Sequence, residues 1–416
     1  MAKSINHLVI YLSSICNMKC AYCYVSAGKE IIKEKSLLAG IDFFCGLKSS
    51  GKKITFLGGE PLLHFRLLEN AVRHIRKKHG DFPVQVFTNG TVLNKETARF
   101  LQEEAVRIIV SIDGPKEHND VYRKFSDSRS QSSRHRLRTM PPCSGRSQSS
   151  RHRLRTMPPC SGRSQSSRHR LRTMPPCSGR STFDALAGKL KFLDMGKIVA
   201  SLVVTPSSAL SLYESVLFLY GMGFAGIAWS PDITAVWTQD KIADIGVSIL
   251  KIRKHYLGLI RQERRLYEIA NSYEIIGKIT GHVASLSGCN SVLLAPDGRF
   301  YPCDKLTALK AGAMRRFALK ISGKNFDAGS RKKFFEKAAF YSAKPSCAMC
   351  PVGVFAYHAY SAESPLKEIK AVLESHRKLS RAVEEGMTAF IKDALKFENF
   401  RKLHNICNLT TKTATR

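Results

Sequence analysis

Six short apolar runs alternate with stretches of helical spacing, and this alternation is the strongest constraint on how the chain folds. The runs at 7–12, 54–57, 84–88, 108–112, 198–204 and 225–229 read as strands. Helical stretches follow near 36–48, 62–78, 94–104, 182–194 and 211–221. Strands that return through a helix form a parallel sheet with right-handed crossovers, so the expected class is α/β.

The alternation is interrupted once. The string SGRSQSSRHRLRTMPPC occupies 144–160 and recurs unchanged at 161–177, after an almost complete copy at 128–143. Each 17-residue unit has one Leu, one Met, four Arg and a Pro-Pro pair. Solenoid repeats of roughly 20–50 residues carry an apolar face to stack, and this unit has none. It buries too little to offset its ordering entropy. Residues 128–180 therefore read as a disordered insertion in the loop after the fourth strand, with Cys143, Cys160 and Cys177 as incidental thiols. Nucleic-acid binding through the arginines is the alternative. Ser181 and Asp184 read as a capping box that opens the helix beyond it.

The insertion also accounts for part of the charge. The chain of 416 residues has 66 Lys and Arg against 33 Asp and Glu, a formal +33. Thirteen of these positive charges lie in 128–180, which holds no Asp, Glu or Lys. The remainder is still basic, which suits an anionic partner. No apolar run nears the ~20 residues of a membrane span. The first run is short and enters a cysteine loop without a small-residue cleavage pattern, so it reads as a strand and not as a signal peptide. The expected setting is cytoplasmic, where clustered cysteines among the twelve point to metal or catalysis.

Cys16, Cys20 and Cys23 follow the first strand in one loop. Thiolates are the ligands of iron–sulfur clusters, and three of them leave one iron of a cubane open to a small molecule. A structural zinc site normally fills all four positions, so zinc is disfavoured but stays open on these residues alone. Gly58, Gly59, Glu60 and Pro61 end the second strand, where two glycines let a ligand approach the backbone. Thr88-Asn89-Gly90-Thr91 and Ser111-Ile112-Asp113-Gly114 end the third and fourth. Barrel sites assemble at these C-terminal strand ends.

On these motifs the chain resembles the radical SAM superfamily across most of 6–235. The resemblance implies a partial (β/α)6 TIM-type barrel. It implies that Cys16, Cys20 and Cys23 bind a 4Fe–4S cluster and that Tyr22 sits beside the adenine of S-adenosylmethionine. Gly58, Gly59 and Glu60 match the motif that holds the methionyl amino group. Ser111 is implied near the methionyl carboxylate or the ribose, and Arg123 as a contact to that carboxylate, with a surface arginine as the alternative. The implied chemistry is reductive cleavage of S-adenosylmethionine to a 5′-deoxyadenosyl radical that abstracts a substrate hydrogen. The barrel supplies placement and shielding.

A second cysteine set lies further on. Cys289 and Cys303 close the strands of a hairpin turned at Asp297-Gly298, and Cys347 and Cys350 follow. This set resembles the SPASM/twitch auxiliary region of peptide-modifying radical SAM enzymes, the anaerobic sulfatase maturases among them. A full SPASM pattern has seven cysteines. Position 356 here is Ala and no later CxxxC follows, so one auxiliary 4Fe–4S cluster is implied, with a zinc ribbon as the alternative. Cys45 and Cys407 read as plain thiols.

The expected architecture is thus a barrel over 1–127 and 181–235, interrupted by the insertion at 128–180. A helical linker at 236–280, a small cysteine-rich α+β auxiliary domain at 281–360 and a helical tail at 361–416 complete it. By resemblance, the expected function is modification of a peptide or protein, with a flavodoxin or ferredoxin as reductant. Two other readings stand beside it. One is a radical SAM enzyme acting on a small molecule or in cofactor maturation. The other is a basic zinc-dependent nucleic-acid-binding protein, which has no use for the Gly-Gly-Glu-Pro turn. Asp232, just past the sixth strand, is the candidate catalytic residue, with a turn role as its alternative.

Overall fold

The computed structural model describes residues 5–126, 180–269, 272–280, 290–341, 351–360 and 364–406. The repeat, Cys289, Cys347, Cys350 and Cys407 lie outside the described residues, as do the expectations attached to them. Residues up to Ser126 and from Ser181 onward form one compact unit.

The chain opens with β1 (His7–Tyr11), α1 (Glu34–Cys45), β2 (Lys53–Leu57), α2 (Phe65–His79), β3 (Val84–Thr88), α3 (Lys95–Glu103) and β4 (Arg107–Ser111). It continues with α4 (Lys116–Tyr122), α5 (Thr182–Leu190), β5 (Val199–Val204), α6 (Leu212–Gly221), β6 (Gly226–Pro231) and α7 (Gln239–Arg261). The strands β1 to β6 pair side by side in chain order, all parallel. Their side chains alternate. Leu8, Ile10, Phe56, Val86 and Val110 are buried under the helices. The other face carries His7, Thr55, Gln85 and Ser111. The same face also carries the buried apolar Val9, Tyr11 and Ile109, and this mixed face lines the inside of the barrel. There His7 Nε2 and Gln85 Nε2 both lie 2.7 Å from Thr55 Oγ1. The mixed α/β class, the parallel sheet and the helical tail are as the sequence led one to expect.

Three features depart from the simple alternation. First, α4 precedes the insertion, which therefore lies between two helices and not between strand and helix. Lys116–Tyr122 has one aliphatic residue, too few to show a period. The two helices are stitched together. Phe183 N–H donates to Asp120 Oδ1 at 2.9 Å, and Thr182 Oγ1 lies 2.7 Å from the Arg123 carbonyl oxygen. Ser181 Oγ accepts from the Asp184 N–H at 3.0 Å, while the Asp184 carboxylate pairs with Lys116. Second, β7 (Glu268–Ile269) adds to β6 within the expected linker, before α8 (Tyr273–Thr280).

Third, the hairpin expected at 289–303 joins the barrel sheet. Its strands β8 (Ser291–Leu294) and β9 (Phe300–Tyr301) are antiparallel, and Gly298 takes φ +76° at the turn. β8 pairs parallel with β1, giving one sheet in the order β7-β6-β5-β4-β3-β2-β1-β8-β9. Beyond it come α9 (Ala311–Met314), the short pair β10 (Ile321–Ser322) and β11 (Asn325–Phe326), α10 (Ala328–Tyr341), α11 (Pro351–Tyr360), α12 (Leu366–Ala394) and α13 (Glu398–Leu403). The long α12 serves both cores. Ile369, Val372 and Leu373 pack with Val9 and Tyr11, while Val383, Phe390 and Ile391 pack with the layer behind the sheet. No helix among the described residues is long and apolar enough to cross a membrane.

Candidate active site at the cysteine loop

The loop that leaves β1 carries Cys16, Cys20 and Cys23, and the turn after β2 holds it by the backbone. Gly59 N–H donates to the Ser13 carbonyl at 2.7 Å, and Glu60 N–H to that of Ile15 at 2.9 Å. A Cβ on Gly59 would lie 2.1 Å from the Ile15 oxygen, and one on Gly58 2.7 Å from the Ser13 oxygen. These are backbone atoms with little room to yield. The glycines therefore admit the cysteine loop itself, a nearer reason for them than the approach of a ligand.

Two more strand ends grip the loop. Asn17 donates to Thr91 Oγ1 at 2.8 Å and accepts from Asn89 Nδ2 at 2.9 Å, so the end of β3 fixes it. The chain after α4 runs alongside. Ala21 N–H reaches the Tyr122 carbonyl at 2.8 Å and Lys19 N–H that of Lys124 at 2.7 Å.

Glu60 is buried at 1% exposure, so every acceptor it offers needs a donor. Oε1 accepts from Leu62 N–H at 3.0 Å and Thr88 Oγ1 at 2.7 Å, and Oε2 from Asn89 N–H at 2.7 Å. Burial raises its pKa against these three bonds. The carboxylate thus ties the end of β2 to the end of β3 and keeps lone-pair capacity for a further donor.

Tyr22, Asp113 and Arg123 form a buried triad. The Tyr22 hydroxyl donates to Asp113 Oδ2. Arg123 Nε reaches the same oxygen at 3.0 Å, and its Nη2 reaches Oδ1 at 3.1 Å. Val203 N–H, in β5, also donates to Oδ1 at 3.1 Å. The guanidinium lies 5.5 Å from the Tyr22 ring centre. Arg123 is therefore no surface arginine. Its fork is held by Asp113, and its charge acts on the Cys20 thiol. Asp113 was visible in the sequence only as part of a motif. Ser111 lies half-buried at the end of β4.

Burial pushes the Cys16 thiol up to about 12, with Glu60, Cys20 and Cys23 adding to the rise. Burial likewise pushes Cys20 up to about 11, against the Arg123 charge. Buried thiols hold their protons until a cation displaces them. Three such donors in one loop fit an iron–sulfur cluster.

Asp232, past β6, is buried. Its Oδ1 accepts from Thr234 N–H at 2.8 Å and Thr234 Oγ1 at 2.7 Å. Burial raises its pKa, and nearby His358 opposes the rise. Of the second cysteine set, Cys303 lies within the described residues and is buried beside Asp304. The following residues reach the cysteine loop, which no spacing announces across 281 positions. Lys305 Nζ donates to Tyr24 Oη and to Asp304 Oδ2, each at 2.8 Å. A cavity of about 190 Å³ lies between the two segments, lined by Tyr11, Glu30, Asp297 and Thr307 among others.

A parallel sheet whose first loop presents three cysteines, packed on a Gly-Gly-Glu turn, defines a barrel domain of the radical SAM type. The chain carries such a domain, for the Radical SAM superfamily model matches residues 10–141. The chain is 27% identical over 124 residues to the cysteine-type anaerobic sulfatase-maturating enzyme of Clostridium perfringens (strain 13 / Type A), 27% of this chain and 34% of that protein. It is 27% identical over 120 residues to the GTP 3',8-cyclase of Paenarthrobacter nicotinovorans, 28% of this chain and 33% of that protein. The chain spans less than half the length of the curated relatives it matches. Its fold is similar to that of hexahistidine-tagged anSMEcpe with bound AdoMet, with a TM-score of 0.61 at 16% identity, covering 96% of this chain and 98% of that one.

Proposed function

We propose that this protein is a radical SAM enzyme that abstracts hydrogen from a peptide or protein, with Cys16, Cys20 and Cys23 holding a 4Fe–4S cluster. The observation that carries the reading is the three-cysteine loop clamped against the Gly58-Gly59-Glu60 turn. Partial similarity to a sulfatase-maturating enzyme supports the peptide class. When bound, the reduced cluster and S-adenosylmethionine supply a 5′-deoxyadenosyl radical for hydrogen abstraction. The chain's own residues do the placing. Arg123, oriented by Asp113, sets a positive charge beside Cys20 and favours its thiolate. Tyr22 is locked by the same carboxylate and presents its ring. Glu60 has room for one more donor, which suits an ammonium group.

After anaerobic reconstitution and reduction with dithionite, the protein should form 5′-deoxyadenosine, and the variant C16A/C20A/C23A should form none. Normal production by that variant would overturn the proposal. Cys289, Cys303, Cys347 and Cys350 are proposed to hold a separate centre, so the same variant should keep about four iron, the content of one cubane. Zinc in place of iron would make that centre structural.

Similarity to a GTP cyclase favours a second reading, a radical SAM enzyme acting on a small molecule. Substrate-dependent 5′-deoxyadenosine formation separates the two, since GTP or a cysteine- or serine-bearing peptide should stimulate it. Asp232 enters the proposal as proton acceptor, because it is buried near His358 and burial raises its pKa from the ordinary carboxylate value. The variant D232N should keep S-adenosylmethionine cleavage and lose conversion of the stimulating substrate. Unchanged conversion assigns Asp232 to the turn alone.

A further inference from the structure

On the helical side of the barrel, away from the cysteine loop, two imidazoles converge on one carboxylate oxygen. His74 Nε2 and His79 Nε2 each lie 2.7 Å from Asp42 Oδ1. The three ligand atoms all fall within 4.8 Å of one another. Lys78 Nζ holds the other oxygen, Oδ2, at 2.6 Å. The side chains of Asp42, His74 and His79 are 31%, 23% and 17% exposed, so an ion from solvent can reach them. Their helices are rigidly placed. Ile41 and Phe44 of α1 and Leu68, Val72 and Ile75 of α2 are fully buried. His79 ends α2, which returns the chain to the start of β3, so the group lies at the N-terminal ends of the strands.

We propose that Asp42, His74 and His79 form a binding site for one divalent transition-metal ion, zinc being the probe of choice. Two imidazole nitrogens and one carboxylate oxygen are a borderline donor set that suits zinc, nickel or copper, not magnesium or calcium. Zinc bonds of about 2.0–2.2 Å place tetrahedral ligand atoms roughly 3.3 Å apart. The present 2.7 Å contacts need to open by only about half an ångström. Lys78, His74 and His79 bring three nitrogens within 2.7 Å of the Asp42 carboxylate, the surroundings of an acceptor and not of a protonated acid. To ligate through Nε2 each imidazole carries its one ring proton on Nδ1, the proton exchanging through solvent, and the fourth position is left for water. Lys78 orients the carboxylate through Oδ2 and repels a dication. Across ~5 Å of water-like dielectric that repulsion weakens binding about tenfold.

The experiment uses the cluster-loaded protein. Crystals equilibrated with zinc should give an anomalous peak at the zinc edge between the three side chains, and zinc should raise the thermal midpoint. The variant H74Q/H79Q should lose both effects, and K78M should bind zinc about tenfold more tightly. 5′-Deoxyadenosine formation should be unchanged in both. An empty map at this position, or an equal zinc response in H74Q/H79Q, overturns the proposal. If that variant does not fold, the anomalous map of the parent protein decides alone.

Discussion

A methyl group at position 59 would collide with the Ile15 carbonyl oxygen, and neither backbone can step back. The β2 turn is fixed by Glu60, whose carboxylate is bonded to Leu62, Thr88 and Asn89. The cysteine loop is fixed by Asn17 and by the segment after α4. Gly59→Ala should therefore displace Cys16, not merely strain the turn. We expect about 3 kcal/mol of destabilisation, at the upper end of overpacking, together with loss of reconstituted iron. Thermal unfolding and iron analysis check this. A stable G59A protein with full iron content would show that the loop has more freedom than the contacts allow.

At the scale of elements, α12 is tied to the chain after β6 by His376, whose Nε2 lies 3.0 Å from the Ala235 carbonyl oxygen. Burial lowers the pKa of His376 to about 4, and it does the same to His7 in β1 and to His404 just after α13. The unfolded chain titrates these groups near ~6.5. Between those limits the unfolded chain binds protons that the folded protein refuses, so stability is complete above about pH 6.5 and declines as the pH falls toward 4. A full shift corresponds to ~3 kcal/mol per histidine, before solvent relaxation reduces it. Denaturant midpoints should fall across this window, and less steeply in H376Q. An identical pH slope in the variant would remove His376 as a contributor.

At the scale of the whole molecule, the question is how a barrel accommodates a long basic insert between α4 and α5. The flanking residues are anchored without it. Asp120 bonds to Phe183 N–H, Lys116 pairs with Asp184, and Ser126 N–H donates to the Asn17 carbonyl at 3.0 Å. Loop closure entropy grows only logarithmically with length, so the insert costs the fold little. Deletion of 128–177 should leave cluster content and uncoupled S-adenosylmethionine cleavage equal to those of the full chain. A deletion that fails to fold or loads no iron would mean that the repeat packs against the barrel.

Local pattern alone was enough for β1 to β6, for the three-cysteine loop and for the hairpin turned at Asp297-Gly298. Period, turn chemistry and motif spacing act over a few residues and leave their mark in order. Other features depended on the tertiary structure. Arg123 finds Asp113 ten positions away, and Lys305 finds Tyr24 across most of the chain. β8 pairs with β1, where Val292 and Leu294 join Leu8 and Ile10 in one core, and α4 is too short and polar to announce itself. Asp42 meets two histidines only when α1 and α2 bury their apolar stripes against the same sheet. Such pairings are set by the packing of distant segments, and packing has no period in the sequence.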